Sequence, residues 1–544
     1  MDTLTPLNSK IESIIELFSS GHIREALNTV QTLISQHPNE ALLHNISGVC
    51  YKATGQQEMA VQSFKRAVEI KSDFADAHYN LGLTLQELNQ LDDAVKSYLK
   101  ALTIKSDYAE AYNNLGVTLK DLDQLEEAVK CYEKALIIKP DYPEAHNNLG
   151  NALKNLGRLS KAVECFERML TIDSNNAEGH NNLGNTLYVL GQLNAAGKSY
   201  MKALAIEPDY AEAHNNLGIT LNDLGRFEDA EASYHRALAI APHFPEAYAN
   251  LGDLLTELKR LDEALVIYET AFNLKPDIIF LIGKLLHTKM HLCLWDGLSS
   301  RLDELQVKIH NNEKVIDPFP MLGLIDDPEL QRKVTEIFLN KHHPKNHDLP
   351  KIGLYPKHKK IRIGYFSADF KEHPVAALTA ELYEVHDRKH FEIHAFSYGP
   401  DTNDKMHFRI KAGVDHFHDV RTMSYEDVAL LARSFEIDIA VDLGGTTSNA
   451  RTGIFAMSAA PIQTSYIGYI GTLGANYYDY LVADQTMIPE EQQQHYSEKI
   501  VYLPSFQVND STQSPPSTTL TRQDVGLPET GFVFCCFNNN FKIT

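Results

Sequence analysis

Four short segments in the second half of the chain carry residue types suited to acid–base and anion-binding chemistry. His373 and Pro374 close the run SADFKEHP and stand just ahead of a helical pattern. A helix N-terminus attracts negative charge through its unpaired N–H groups, and an imidazole beside it exchanges protons near neutral pH. GGTTSNAR (Gly444 to Arg451) and IGYIGTLGA (Ile467 to Ala475) are glycine-rich, and glycine lets backbone approach a ligand closely. VDHFHDV adds His416 and His418. Taken singly, each has a plain structural reading as a core histidine or a turn. A further set lies in the first half, where Asn80, Asn114, Asn148, Asn182, Asn216 and Asn250 recur every 34 residues. An amide donates and accepts at once, so a row of them can pair with a peptide backbone whatever its sequence. The other reading is an amide solvated on the helix surface or bonded to a neighbouring helix.

The elements around the four segments are strands and helices in alternation. IRIGYF (361–366), FEIHAFSY (391–398), IDIAVDL (437–443), TSYIGY (464–469), YYDYLVAD (477–484) and IVYLP (500–504) read as buried parallel strands. Helical patterns fall at 374–386, 424–435 and 450–458. This rhythm predicts a doubly wound α/β layer, whose ligands sit outside the carboxyl ends of the strands. The four segments are expected at loop ends of that one sheet, converging on one crevice.

The asparagines belong to a different architecture. Gly48, Gly82, Gly116, Gly150, Gly184, Gly218 and Gly252 follow one another at 34 residues, the signature of stacked helical pairs. The units run 41–74, 75–108, 109–142, 143–176, 177–210, 211–244 and 245–278, with a weaker first unit at 7–40, eight in all. The eighth position is Gly and the twentieth Ala, so two helices approach closely. The twenty-fourth is Phe or Tyr and fills the groove. Pro140, Pro208, Pro242 and Pro276 end second helices, since proline cannot continue one. Such arrays build long concave surfaces that hold other proteins. After Ile278 the period is expected to stop, with irregular helices over 279–355.

Composition narrows the classes. The net charge of -22 argues against a general nucleic-acid binder and against docking on an anionic membrane. Its plain meaning is solubility. Six scattered cysteines without a CxxC pair suit a reducing compartment rather than a disulfide framework or a zinc site. The N-terminal sequence lacks a signal-peptide pattern, and no apolar run approaches the roughly 18 residues of a membrane span. A cytoplasmic location is expected, extending to the nucleus in a eukaryote.

The glycine, alanine, aromatic and proline positions resemble the tetratricopeptide repeat over residues 7–278. IRIGYFSADFKEHP, ARTGIFAMSAAPIQTSYIGYIGTLGANYYDYLVAD and HYSEKIVYLP, from about residue 280 onward, resemble the catalytic region of the protein O-GlcNAc transferase family. The implied fold is an α-solenoid followed by the first lobe of a doubly wound GT-B glycosyltransferase. The implied divisions are repeats over 1–278, a helical linker over 279–355, a first lobe over 356–510, an inter-lobe linker over 511–530 and the start of a second lobe over 531–544. In that family a Ser or Thr hydroxyl of a protein attacks the anomeric carbon of UDP-GlcNAc with inversion and without a metal. No cofactor is implied beyond that donor sugar. The resemblance makes His373 the histidine bordering the reaction centre and His416 a second cleft histidine. It sets Gly468, Gly471, Thr472 and Asn539 along the donor and acceptor cleft. Lys542 becomes the cation that neutralises the leaving diphosphate, and the asparagine row becomes the grip on extended protein acceptors.

The sequence departs from the family at several of these points. Ile470 stands for the usual proline in IGYIG, GGTTSN lacks the family's aromatic, Phe541 stands where tyrosine is frequent, and Asn539 where glutamine is common. The second strand set would begin at GFVFCCFN (531–538), and the sequence ends at Thr544. The expectation is therefore a truncated product lacking most of the nucleotide-binding lobe and unable to bind UDP-GlcNAc usefully. Two other readings stand beside the transferase: a non-catalytic tetratricopeptide scaffold, and a transferase with another donor or acceptor.

Overall fold

The structure is a computed structural model that describes residues 4–345, 349–447, 449–506, 510–512, 521–524 and 530. These fall in two compact units, Met1–Val189 with Ala195–Pro208, and Leu190–Asn194 with Asp209–Thr544. The division lies inside the repeat array, not at Ile278.

The first unit is a succession of helical pairs, of which Ala41–Ala53 with Gln57–Ile70 is typical. Its joint explains the glycine count. A Cβ added to Gly48 would stand 2.5 Å from the Phe64 ring, and one on Gly116 would stand 2.6 Å from Tyr132. The two helices thus close to a distance that any side chain at the eighth position would prevent. Ala60, Ala94, Ala128 and Ala162 are fully buried. The turn inside each pair passes through a left-handed residue, at Gly21, Gly55, Asn89, Asp123 and Gly157. The link between pairs is tied by histidines: His44, His78 and His146 bond the carbonyls of Pro38, Ser72 and Pro140 at 2.9, 3.1 and 2.9 Å.

The second unit opens with the pairs Ala211–Asp223 with Phe227–Ile240 and Pro245–Glu257 with Leu261–Leu274. Past Ile278 the chain continues as helices of unequal length and spacing. Helices Leu281–His291 and Leu298–His310 touch each other little, unlike the two helices of a repeat. Cys293 (φ 56°) makes the left-handed turn in phase with Lys259 (φ 62°) and Gly225 (φ 73°). Leu286, Leu298 and Leu302 occupy the glycine, alanine and aromatic positions, so the small–aromatic joint that closes each repeat is lost. Close approach moves to Gly283, where a Cβ would lie 2.5 Å from Ile316. Lys284 stands in the asparagine position and reaches Asp253 at 2.6 Å. Helices Pro318–Leu324 and Pro328–His342 follow, the latter capped by Asp327.

The rest of this unit is a seven-stranded parallel sheet: β1 (Ile361–Ser367), β2 (Phe391–Ser397), β3 (His416–Asp419), β4 (Ile439–Asp442), β5 (Ile462–Tyr466), β6 (Tyr480–Ala483) and β7 (Lys499–Tyr502), in the order 3-2-1-4-5-6-7. Helices Pro374–Val385, Lys405–Gly413, Tyr425–Ser434 and Gly453–Ala456 connect the strands. Both faces are packed. On one, Phe366 stacks on Phe396 with ring centroids 4.4 Å apart, and on the other Tyr365 meets Tyr383 edge-on at 5.0 Å. β3 and helix Lys405–Gly413 have no counterpart in the sequence reading. HFHD contains a single apolar residue, so as an edge strand paired on one side it lacks the apolar run that marks a buried strand. The expected strand at 531–538 lies outside the described residues.

Candidate active site

Strand order reverses between β1 and β4, which makes the gap between their carboxyl ends the switch point where such sheets bind ligands. The loop after β1 ends at His373. Its extended backbone (φ −154°, ψ 148°) makes it the N-cap of helix Pro374–Val385, with Pro374 supplying the fixed φ of a first helical turn. Nδ1 accepts the Val375 N–H at 3.3 Å and lies 3.6 Å from Asp369 Oδ2. Two proton arrangements follow. When Nδ1 accepts from Val375, Nε2 carries the hydrogen and donates. When the Nδ1 hydrogen faces Asp369, Nε2 offers a lone pair and acts as a base. Asp369 was not singled out from sequence, although its i, i+4 spacing in DFKEH was legible.

The loop is held from outside. The Glu372 N–H donates to Asp404 Oδ2 at 2.9 Å, and His407 Nδ1 bonds the Phe370 carbonyl at 3.1 Å. Partial burial opposes ionisation of Asp404. Hydrogen bonds from Thr402 and from the His407 and Glu372 amides outweigh it and hold the carboxyl down to about 2.

The loop after β4 is built around Asp442, another residue that sequence reasoning missed. It is 1 % exposed, accepts the Gly444 and Gly445 amides at 2.8 and 3.1 Å, and takes the Tyr478 hydroxyl on its other oxygen. Burial raises its pKa against those hydrogen bonds. Gly445 (φ 62°) has the Tyr469 Cβ only 2.6 Å from where its own Cβ would stand. Arg451 donates to the Val420 and Met423 carbonyls at 3.0 and 2.6 Å and lies over the rings of Tyr398 and Tyr425. GGTTSNAR is therefore anchored at its first glycines by Asp442 and at its last residue by Arg451.

Residues 334–519 match the sequence profile of glycosyl transferase family 41. Tetratricopeptide-repeat profiles match 48–89, 85–123, 118–157, 143–176, 184–222 and 221–278. The probable UDP-N-acetylglucosamine–peptide N-acetylglucosaminyltransferase SEC of Arabidopsis thaliana is 34% identical over 283 residues, 48% of this chain and 29% of that protein. A Caenorhabditis elegans UDP-N-acetylglucosamine–peptide N-acetylglucosaminyltransferase is 34% identical over 159 residues, 28% of this chain and 14% of that one. Among solved structures, a mutant Thermobaculum terrenum O-GlcNAc transferase aligns at 24% identity and a TM-score of 0.41, covering 63% of this chain and 59% of that one. The chain thus joins tetratricopeptide repeats to a glycosyl transferase family 41 region and is similar to O-GlcNAc transferases. It spans less than a third of the length of the curated relatives it matches.

Of the residues that the O-GlcNAc transferase resemblance brings to the cleft, the structure sets His373 at the switch point. Gly468 supports the neighbouring loop: its missing Cβ would fall 1.8 Å from the Leu443 carbonyl oxygen, so the IGYIG turn packs directly on the strand end. Gly471 is buried against the Tyr469 hydroxyl. Thr472 is 4 % exposed, and its hydroxyl donates to Glu498 at 2.7 Å while accepting the Ser497 amide at 3.1 Å. It shapes the loop from inside rather than facing a ligand. His416 requires correction. It lies in β3 at the sheet edge, not in a loop, and pairs in register with His394, level with Gly364 of β1. That is the middle of β1 and β2, short of the carboxyl ends whose loops carry His373. His418 is in the same strand and stacks on Phe396. Asn539 and Lys542 lie outside the described residues.

The half-buried asparagines of the array are tied to each other. Nδ2 of Asn80, Asn148 and Asn182 donates to Oδ1 of Asn45, Asn113 and Asn147 at 3.1, 3.0 and 3.0 Å, and Asn114 donates to the Tyr79 hydroxyl at 3.0 Å. In the second unit Asn250 donates to Asn215 at 2.9 Å, and Asn216 accepts from Asn215 at 3.4 Å. The Nδ2 bonds of Asn80, Asn114, Asn148, Asn182 and Asn250 run from the sixth position of one repeat to the fifth of the repeat before it. One N–H of these five amides is thus committed to the array.

Proposed function

We propose that the chain contributes to transfer of N-acetylglucosamine from UDP-GlcNAc to Ser or Thr hydroxyls of proteins held along the repeats. The observation that carries this reading is the His373–Asp369 pair on a helix N-terminus at the switch point of a family 41 domain. The acceptor oxygen bonds to the anomeric carbon as the bond to the diphosphate breaks, and UDP leaves with the electron pair. The acceptor proton passes to His373 Nε2, or to donor phosphate or water. The helix N-terminus beside His373 favours the negative charge that develops on the leaving group. The inverting, metal-independent course is carried over from the family resemblance, as is the protein acceptor. Among the described residues Cys50, Cys131 and Cys165 form no disulfide, which supports a reducing, cytoplasmic or nuclear setting. Among the described residues no helix is long and apolar enough to cross a membrane.

The test is a mass-shift assay on Ser/Thr protein acceptors, using the full-length protein with UDP-GlcNAc or UDP-glucose as donor. A gain of one N-acetylhexosamine with the first donor is expected. Transfer of glucose alone would change the donor, and transfer of neither would leave the repeats as a binding scaffold.

A further inference from the structure

Away from the switch point, the outer edge of the sheet carries a cluster that the transfer reaction does not use. Glu392 and His394 stand two residues apart in β2 and so share one face of the sheet. His416 pairs with His394 across to β3. Glu392 Oε1, His394 Nε2 and His416 Nε2 converge: the His416–Glu392 distance is 3.0 Å, the His394–Glu392 distance 3.4 Å, and all three ligand atoms lie within 4.8 Å of one another. In a tetrahedral zinc site with bonds of about 2.0–2.2 Å, neighbouring ligand atoms sit about 3.4 Å apart. A small closure between the two histidines completes that geometry.

His394 supplies the independent observation. Its side chain is 2 % exposed, and its buried Nε2 has no hydrogen-bond partner, although burying an unpaired polar atom is costly. Its other nitrogen, Nδ1, is 3.1 Å from His418 Nε2. In the tautomer where Nδ1 donates to His418, the Nε2 lone pair is directed toward Glu392 and His416, the support a metal-bound histidine takes from a neighbour. Arg362 Nε lies 3.5 Å from the second oxygen, Glu392 Oε2, and also binds Glu436, so it orients the carboxylate while leaving Oε1 to the histidines.

We infer that Glu392, His394 and His416 form a zinc site that clamps the edge strand β3 to β2, with His418 positioning His394 and one coordination place left open. Its clamp role is separate from glycosyl transfer, so it stands or falls independently of the transferase reading.

The test uses the full chain, stripped with a chelator and titrated with Zn2+ by calorimetry. Wild type is expected to bind one Zn2+ per chain and to melt at higher temperature when loaded. Glu392→Gln and His416→Asn are expected to weaken that site at least tenfold. His235→Asn, at an exposed histidine of the array, is expected to leave it unchanged. Equal affinity in all four proteins would overturn the proposal. Cobalt(II) gives a check on wild type alone: intense visible absorption of a four-coordinate ion is expected, and only the weak spectrum of a six-coordinate ion would overturn it.

Discussion

At the scale of single residues, His373 does two jobs that mutation can separate. As an N-cap it satisfies the Val375 amide, and beside Asp369 it is poised to move a proton. His373→Ala should cost about 1 kcal/mol of stability through the lost cap. It should also lower transfer by about 10²-fold or more if the imidazole handles the proton. His373→Asn should restore the melting temperature, because asparagine caps well, without restoring turnover. Wild-type turnover in His373→Asn would remove the imidazole from the chemistry. This residue was legible because histidine before proline at a strand-to-helix junction is a local pattern. Asp442 and Glu498 were not, because their partners Tyr478 and Thr472 are brought to them only by tertiary folding. His416 was misplaced for the opposite reason: a histidine in a short polar run reads as a loop until an edge strand claims it.

At the scale of elements, the small residues gave away the array while the polar ones hid their use. Glycine at the eighth position and an aromatic at the twenty-fourth are the two sides of one contact, so sequence alone shows the joint. Helices Leu281–His291 and Leu298–His310 keep the backbone turn at Cys293 but replace both sides of that contact with leucine, and the close pairing goes with it. The asparagines look like a substrate ladder in sequence, yet they also hold repeat to repeat. Asn148→Ala should therefore destabilise the first unit by about 1 kcal/mol in urea unfolding, because it leaves Asn113 Oδ1 without that donor. An unchanged urea midpoint would mean the bond adds nothing, and the row would belong to acceptor binding alone. Acceptor affinities of such variants are best compared with stability measured in the same samples.

At the scale of the whole molecule, acid should loosen the sheet-bearing unit first. Burial, the first cause in each case, pushes His287, His343, His394 and His418 down to about 4, and all four lie in the second unit. An unfolded histidine titrates near 6.5. A folded pKa below that value gives stability that is full above about pH 6.5 and is lost as the pH falls toward 4. Asp317, raised by burial to about 6, works in the opposite sense, as do the raised Asp442 and Glu257. Four histidines outnumber them, and the carboxylates held low, such as Asp404, add their own loss below about pH 4. Hydrogen exchange read by mass spectrometry should show β1 and β2 peptides losing protection between pH 6.5 and 4 before peptides spanning Gly116 and Tyr132. Simultaneous loss would place the acid-sensitive groups elsewhere.

The glycine–aromatic joint also bears on how the chain is made. Gly48 meets Phe64, and Gly116 meets Tyr132, inside a single helical pair, so each pair closes its main contact soon after leaving the ribosome. The sheet has no such freedom: β1 cannot gain its inner neighbour until Ile439–Asp442 has been synthesised, with two whole strands and three helices intervening. Local contacts form quickly and distant parallel pairings slowly. The solenoid should thus be folded while β1 and β2 still wait with an open apolar edge, and that interval is when the nascent chain is most exposed to aggregation and most in need of a chaperone.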